Sequence, residues 1–120
     1  MSSEFDVRAG DRAGDGDGPA PVVVHVTGEI DIRHAGELES MVTAALSGAR
    51  SATSVIVDLT NSSFCDSAGL SALIRAREAA LRTGGTLSLA APSHQMLRLL
   101  DLTGTAGLFP VRPAVGPPPR

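Results

Sequence analysis

The pattern of apolar and polar residues along this chain predicts buried strands that alternate with amphipathic helices. Residues 22–26 (VVVHV) and 54–59 (SVIVDL) are short, nearly continuous apolar runs rich in β-branched side chains. Such runs are typical of strands that are covered on both faces. Residues 86–90 (TLSLA) form a third predicted strand, and residues 5–8 (FDVR) alternate like an edge strand.

Between these strands, apolar residues recur at the spacing of a helix with one buried face. We expect three such helices. The first is carried by Leu38, Met41, Val42, Ala45 and Leu46, the second by Leu70, Leu73, Ile74 and Leu81, and the third by Met96, Leu97 and Leu100. Gly48, Gly84 and Gly104 follow the helices where a stop signal is expected, and Ser93 is the predicted N-cap of the third helix.

The order of these elements predicts the fold class. Strands that alternate with helices through short links favour an α/β fold, with a small, mostly parallel mixed sheet of four to five strands and helices packed against it. We assign the domain to residues 21–112. Residues 1–20 are predicted to be a flexible N-terminal segment with a possible edge strand, and residues 113–120 a disordered, proline-rich tail. Residues 108–111 include a possible last strand.

Composition narrows the functional classes. The 120 residues carry 10 basic and 13 acidic side chains, a net charge of −3, so there is no excess positive charge to attract nucleic acid or an anionic membrane surface. No apolar run approaches the roughly 20 residues that span a bilayer. One cysteine and no recognisable secretory leader indicate a cytoplasmic protein. The three histidines lack metal-ligand spacing, and we expect neither a metal nor a cofactor.

The most informative segment is residues 58–70 (DLTNSSFCDSAGL), where a predicted strand leads through a turn into the second helix. Residues 60–66 are the predicted turn, with Asn61 suited to a positive φ. Ser67 then lies in the first helical turn, where free N–H groups and the helix dipole tolerate a phosphate. The alternative is that Asp66 or Ser67 only caps the helix. Sequence spacing leaves these two interpretations equal.

A set of short motifs makes the chain resemble a known family. The motifs are TGEID at 27–31, DLT at 58–60, FCDSAGL at 64–70, GGTL at 84–87, LTG at 102–104 and LFPV at 108–111. Their order and spacing over about residues 20–115 resemble the STAS family, and more closely the bacterial anti-sigma factor antagonists. One departure stands out, because family members commonly end in a further helix that Pro113 and Pro117 to Pro119 exclude here.

The resemblance implies a partner-switching cycle. An unphosphorylated antagonist binds an anti-sigma factor of the histidine-kinase-like ATPase type and frees a sigma factor; phosphorylation of a serine separates the complex, and a PP2C-type phosphatase resets it. By the same resemblance, Ser67 is the phosphorylated serine, and Asp31, Asp66, Gly69 and Leu70 lie with it in or beside the partner interface. For Gly69 we also expect that its missing side chain lets a partner backbone approach closely.

Two other interpretations remain open, and an enzymatic role and a redox role are disfavoured. Ser62 and Ser63 are neighbouring hydroxyls that another kinase could modify. A hydrolase using Ser67 lacks the Gly-x-Ser-x-Gly elbow, and a phosphate-binding P-loop is also absent, so we expect no enzyme. The alternative function is a STAS subunit of a lipid-transport complex or a stress-signalling scaffold, in which the serine need not be phosphorylated. Cys65 is expected to be a small core residue and not a redox sensor.

Overall fold

Strands and helices alternate in the order that the hydrophobic pattern predicts. The computed structural model describes residues 5–9, 21–47 and 54–115. The elements in these residues are β1 (Asp6–Ala9), β2 (Val22–Ile30), α1 (Ala35–Ser47), β3 (Ser54–Cys65), α2 (Ser67–Arg82), β4 (Thr86–Ala90), α3 (His94–Leu102), a 3-10 turn (Ala106–Leu108) and β5 (Val111–Arg112). Gly48, residues 10–20 and residues 116–120 lie outside the described residues, so the predictions made for them are not tested.

The strands form one sheet in the order β1-β2-β3-β4-β5. The β2, β3, β4 and β5 strands run parallel, while β1 pairs antiparallel with β2 at the edge. The predicted α/β fold with a mostly parallel mixed sheet is therefore confirmed. Each parallel pair is joined by a crossover that contains a helix, which is the connection that parallel neighbours require.

The main core lies where the helices cover the sheet. Val24 and Val57 on the strands, Leu38 on α1 and Leu73 on α2 are all fully buried and belong to one hydrophobic cluster. Successive residues of a strand point to opposite faces, so Val23 faces away from this core. With Ile56 and Ala90 it forms a second, smaller cluster. Val115, from the segment predicted to be a disordered tail, packs against this second cluster.

The structure corrects the predicted turn at residues 60–66. The β3 strand continues to Cys65, and the described residues with positive φ do not include Asn61. The reason is tertiary, because β2 also continues to Ile30 and supplies hydrogen-bond partners for the polar stretch after Leu59. Two register shifts, between His25 and Thr27 and between Thr27 and Glu29, let the two strands stay paired to their ends.

Two residues predicted to face the core are exposed. Leu81 and Leu97 are 46% and 40% exposed, respectively. Leu81 lies in the last turn of α2, and the buried positions nearest to it are Ala76 and Ala80. Periodicity identifies the apolar face of a helix but not how far its neighbours extend along that face. No helix in the described part of the chain is long and apolar enough to cross a bilayer.

Candidate functional site

The candidate site lies where β2 and β3 end side by side. Ile30 pairs in register with Cys65, and the Asp66 N–H donates a hydrogen bond of 3.1 Å to the Ile30 carbonyl oxygen. The residues that follow parallel neighbours lie at the same edge of a sheet. Asp31 and Asp66, which are 35 positions apart in the sequence, are therefore brought together at this edge.

Asp66 is the N-cap of α2. Its backbone is extended, with φ −103° and ψ −175°, and its Oδ1 accepts a 2.9 Å hydrogen bond from the Gly69 N–H. Ser67 is the first residue of the helix and is exposed. Its hydroxyl has no hydrogen-bond partner among the described residues. Capping therefore falls to Asp66, and the hydroxyl of Ser67 is left available at the surface.

Asp31 is held inside its own loop. Its Oδ2 accepts hydrogen bonds from Arg33 Nη2 at 2.9 Å and Nε at 3.3 Å, and its Oδ1 accepts one of 3.0 Å from the Arg33 N–H. The His34 Nδ1 lies 3.0 Å from the same Oδ1. The hydrogen bonds from the Arg33 guanidinium are the main reason why the pKa of Asp31 lies below its usual range. Burial raises the pKa, but by less.

Neither residue that orients Asp31 was among the predicted site residues. His34 is buried, and its Nδ1 lies 3.0 Å from the Glu29 carbonyl oxygen. Its ring stacks on that of Phe5, with ring centroids 4.1 Å apart. This stack ties the segment before β1 to the loop that carries Asp31. The signal in the sequence was the close spacing of Arg33 and His34 behind an aspartate.

Gly69 and Leu70 do not present surface. Leu70 is 4% exposed and belongs to the main core. A Cβ added at Gly69 would collide with the Ile30 carbonyl oxygen and would lie 2.7 Å from Ile30 Cγ2. The expectation for Gly69 is therefore corrected: the close approach that its missing side chain allows is to Ile30 of the same chain. A role of Gly69 and Leu70 at a partner interface stays a prediction, and both residues are buried.

One further side chain reaches the site from α3. The Gln95 Oε1 accepts a 2.9 Å hydrogen bond from the Cys65 N–H, and its Nε2 donates one of 2.8 Å to the Cys65 carbonyl oxygen. Gln95 lies 30 positions further along the chain. No local pattern in the sequence connects it with the site, so sequence reasoning had no signal for it.

Cys65 itself is a core residue. It is 2% exposed, and burial, assisted by the nearby Asp66 charge, raises the pKa of its thiol to about 12. A thiol with that pKa is protonated at neutral pH and is a poor nucleophile. The geometry agrees with the core role that the sequence suggested.

A second cluster of polar side chains lies on β2 and β3, before the ends of these strands. His25 Nδ1 is 2.8 Å from Asp58 Oδ2, and Asp58 Oδ1 accepts hydrogen bonds from the Thr60 hydroxyl at 2.6 Å and the Thr60 N–H at 3.1 Å. Burial raises the pKa of Asp58, but the hydrogen bonds from Thr60 and His25 outweigh it and leave the pKa below its usual value. Because His25 and Asp58 are register partners on adjacent strands, this pair ties β2 to β3.

Comparison with known proteins assigns the family. A family model described as "Mlab, STAS domain" matches residues 15–111. The chain belongs to the STAS domain family. The match includes all of the elements from β2 to the start of β5, so the site at the ends of β2 and β3 is part of the STAS domain. No curated protein sequence matches this chain.

The solved structures that are similar to this chain include anti-sigma factor antagonists. An anti-sigma factor antagonist from Mycobacterium paratuberculosis is 29% identical, with 96% of this chain and 92% of that chain covered and a TM-score of 0.71. The anti-sigma factor antagonist SpoIIAA in its unphosphorylated form is 21% identical, with 92% and 87% covered and a TM-score of 0.68. Bacillus SpoIIAA in the phosphorylated form also matches, at 21% identity, with 92% and 90% covered and a TM-score of 0.62.

The same fold also occurs in a transporter. The murine Solute Carrier 26 family member A9 anion transporter matches 94% of this chain with a TM-score of 0.73, at 16% identity and over 21% of its own length. At that identity the likeness shows the fold alone. The STAS fold therefore does not by itself separate a free regulator from a transporter domain, and the functional argument rests on the site.

Proposed function

We propose that this STAS domain is an anti-sigma factor antagonist that is switched by phosphorylation of Ser67. In the unphosphorylated state it binds an anti-sigma factor of the histidine-kinase-like ATPase type, and a sigma factor is released. The anti-sigma factor then phosphorylates Ser67 and the complex separates. A PP2C-type phosphatase removes the phosphate, and the cycle takes place in the cytoplasm.

The observation that carries this proposal is that Asp66 caps α2 while the hydroxyl of Ser67 stays exposed. Asp66 provides the cap, so phosphorylation of Ser67 removes no hydrogen bond from the start of α2. The first turn of a helix has N–H groups without intrahelical partners and the positive end of the helix dipole. A phosphate at Ser67 is therefore compatible with the folded helix, and the switch works by altering a surface.

The expected effect on the partner is electrostatic and steric. Phosphorylation adds about −1.5 to −2 charge at neutral pH. It adds that charge next to the carboxylate of Asp66 and at the sheet edge that also carries Asp31. A partner that docks over this edge in the unphosphorylated state must then accommodate a bulky group and additional negative charge.

The alternative is a STAS subunit of a lipid-transport complex or a stress-signalling scaffold without a phosphoswitch. The occurrence of the fold in an anion transporter keeps this alternative open. It differs from the proposal in its partners and in the role of Ser67, which then needs no free hydroxyl. Recovery of transporter subunits and no kinase with tagged protein would favour it.

Phosphate mapping tests the proposal. The wild-type chain is incubated with ATP and an anti-sigma ATPase encoded in the same genome, and phosphopeptides are identified by mass spectrometry. We expect one phosphate, on Ser67, and none in Ser67→Ala. Ser63→Ala is the matched control, because Ser63 is also exposed but lies in β3. No phosphate in the wild type, or phosphate on Ser63 instead, would contradict the proposal.

A further inference from the structure

Among the described residues, the end of β3 has no strand neighbour on one side. The ladder between β3 and β4 runs from the Ser54–Thr86 pair to the Asp58–Ala90 pair and stops there. On the other side, β2 accompanies β3 as far as Cys65. In the part of the chain that the structure describes, the last seven residues of β3 therefore have a strand neighbour on the β2 side only, and they lead directly into Asp66 and Ser67.

Gln95 supplies the missing neighbour at the final residue. Both main-chain groups of a residue in a parallel strand point to the same side. A primary amide has one acceptor oxygen and an NH₂ donor, so a single glutamine side chain can serve both groups. Gln95 does this at Cys65, with bonds of 2.9 and 2.8 Å. Its amide takes the position that a β4 extension would otherwise fill.

We propose that Gln95 is a positioning residue for Ser67: its two hydrogen bonds to Cys65 fix the strand end from which α2 begins. This inference rests on the proposed function, since it concerns the presentation of the same hydroxyl. The Asp66 N–H is bonded to Ile30 on the β2 side, and Cys65 is bonded to Gln95 on the α3 side. The segment before Ser67 is thus held from two opposite sides.

The position of Cys65 makes this contact important. Cys65 is 2% exposed, so water has little access to its N–H and carbonyl groups if Gln95 is removed. The buried groups would be satisfied only by a shift of the strand end. Because Asp66 and Ser67 follow immediately, such a shift moves the cap and the hydroxyl together. A hydroxyl moved by a fraction of an ångström reacts more slowly even when the partner still binds.

The test compares Gln95→Met with Arg98→Met. Both changes place methionine on α3, but Arg98 is exposed and makes no described contact with Cys65. Amide hydrogen exchange is measured by NMR at Cys65 and Asp66, whose N–H groups are hydrogen-bonded, and, as a reference, at Val57 and Leu89 in the core. Phosphorylation of Ser67 by the anti-sigma ATPase of the same genome is measured as kcat and KM separately. If Gln95→Met does not fold, the same measurements are made on Gln95→Glu, which keeps an acceptor for the Cys65 N–H.

We expect Gln95→Met to accelerate exchange of the hydrogen-bonded amides of Cys65 and Asp66 on the order of tenfold, while Val57 and Leu89 stay protected. The kcat should fall by a similar factor with KM nearly unchanged, because on this inference Gln95 acts on the position of the reacting hydroxyl. Arg98→Met should behave as the wild type. Wild-type exchange and kcat in Gln95→Met, or a uniform loss of protection over the whole domain, would overturn the inference.

The two proposals fail in different ways. If the wild type takes no phosphate on Ser67, the proposed function fails, and hydrogen exchange alone decides whether Gln95 fixes the strand end. If the wild type is phosphorylated and Gln95→Met is phosphorylated at the same kcat, the proposed function stands and the role of Gln95 is refuted.

Discussion

Gly69→Ala tests how α2 is seated on the sheet. Gly69 lies in the first turn of α2 and is buried against Ile30, whose carbonyl oxygen also accepts the hydrogen bond from Asp66. The added methyl would meet that oxygen, would lie 2.7 Å from Ile30 Cγ2 and would lie 3.0 Å from Cys65 Sγ. Two of these atoms belong to β2, which is fixed between β1 and β3, so the helix start must move.

The size of the expected stability change follows from two destabilising effects and one stabilising effect. Overpacking in a close-packed site costs about 1–3 kcal/mol. Displacement of the helix start also weakens the Asp66-to-Ile30 hydrogen bond, which is worth about 1 kcal/mol. Alanine has the higher helix propensity and returns at most about 1 kcal/mol. We therefore expect Gly69→Ala to lower the free energy of unfolding by about 1–3 kcal/mol.

Urea denaturation followed by circular dichroism measures this change. The control is Gly36→Ala in α1, because a Cβ at Gly36 meets nothing within 4 Å. The same substitution there should leave stability unchanged or raise it by up to about 1 kcal/mol. Opposite signs at the two glycines are the expected result. A Gly69→Ala variant as stable as the wild type would refute the close contact between α2 and Ile30.

Two further predictions concern ionisable groups. The pKa of Asp58 in the folded protein lies below the ordinary value of 3.8, so the ionised carboxylate stabilises the fold above pH 3.8, and this stabilisation is lost as the pH falls through the folded-state pKa. Thr60→Val removes one of the hydrogen bonds that lower this pKa. The variant should therefore lose less free energy of unfolding than the wild type between about pH 5 and about pH 3. An unchanged pH dependence in urea denaturation would contradict this. The Cys65 thiol, with a pKa of about 12, should react with a disulfide reagent at pH 7 only after unfolding in urea. Rapid labelling of the folded protein would show that the thiol is accessible.

Much of the fold could be predicted from the chain because its signals are local. The strands at 54–59 and 86–90 and the three helices follow from side-chain periodicity, and Ser93 is the N-cap of α3, as predicted, with its hydroxyl accepting from the Met96 N–H at 3.1 Å. Gly84 and Gly104 have φ of 83° and 72° just after α2 and α3. These features depend on a residue and its near neighbours, so a sequence pattern is sufficient to identify them.

The same local reasoning brought Ser67 to the start of a helix but left its role open. Asp and Ser are both good caps, and sequence spacing does not choose between them. The choice depends on the backbone of Asp66, which is extended and lets its carboxylate accept from Gly69. That geometry follows from the bond between the Asp66 N–H and Ile30, a contact between residues 36 positions apart.

Only the tertiary structure decided how the site is supported. Residues 60–65 are polar enough to predict a turn, yet they form a strand because β2 lies beside them. A glycine is needed at position 69 because Ile30 of the same chain leaves no room for a side chain. Gln95, on α3, forms the hydrogen bonds to the last residue of β3. The sequence by itself determined the elements and the exposed serine, whereas the contacts that orient the serine join distant segments. Such contacts leave no periodic or local trace, because they depend on which strands become neighbours in the folded sheet.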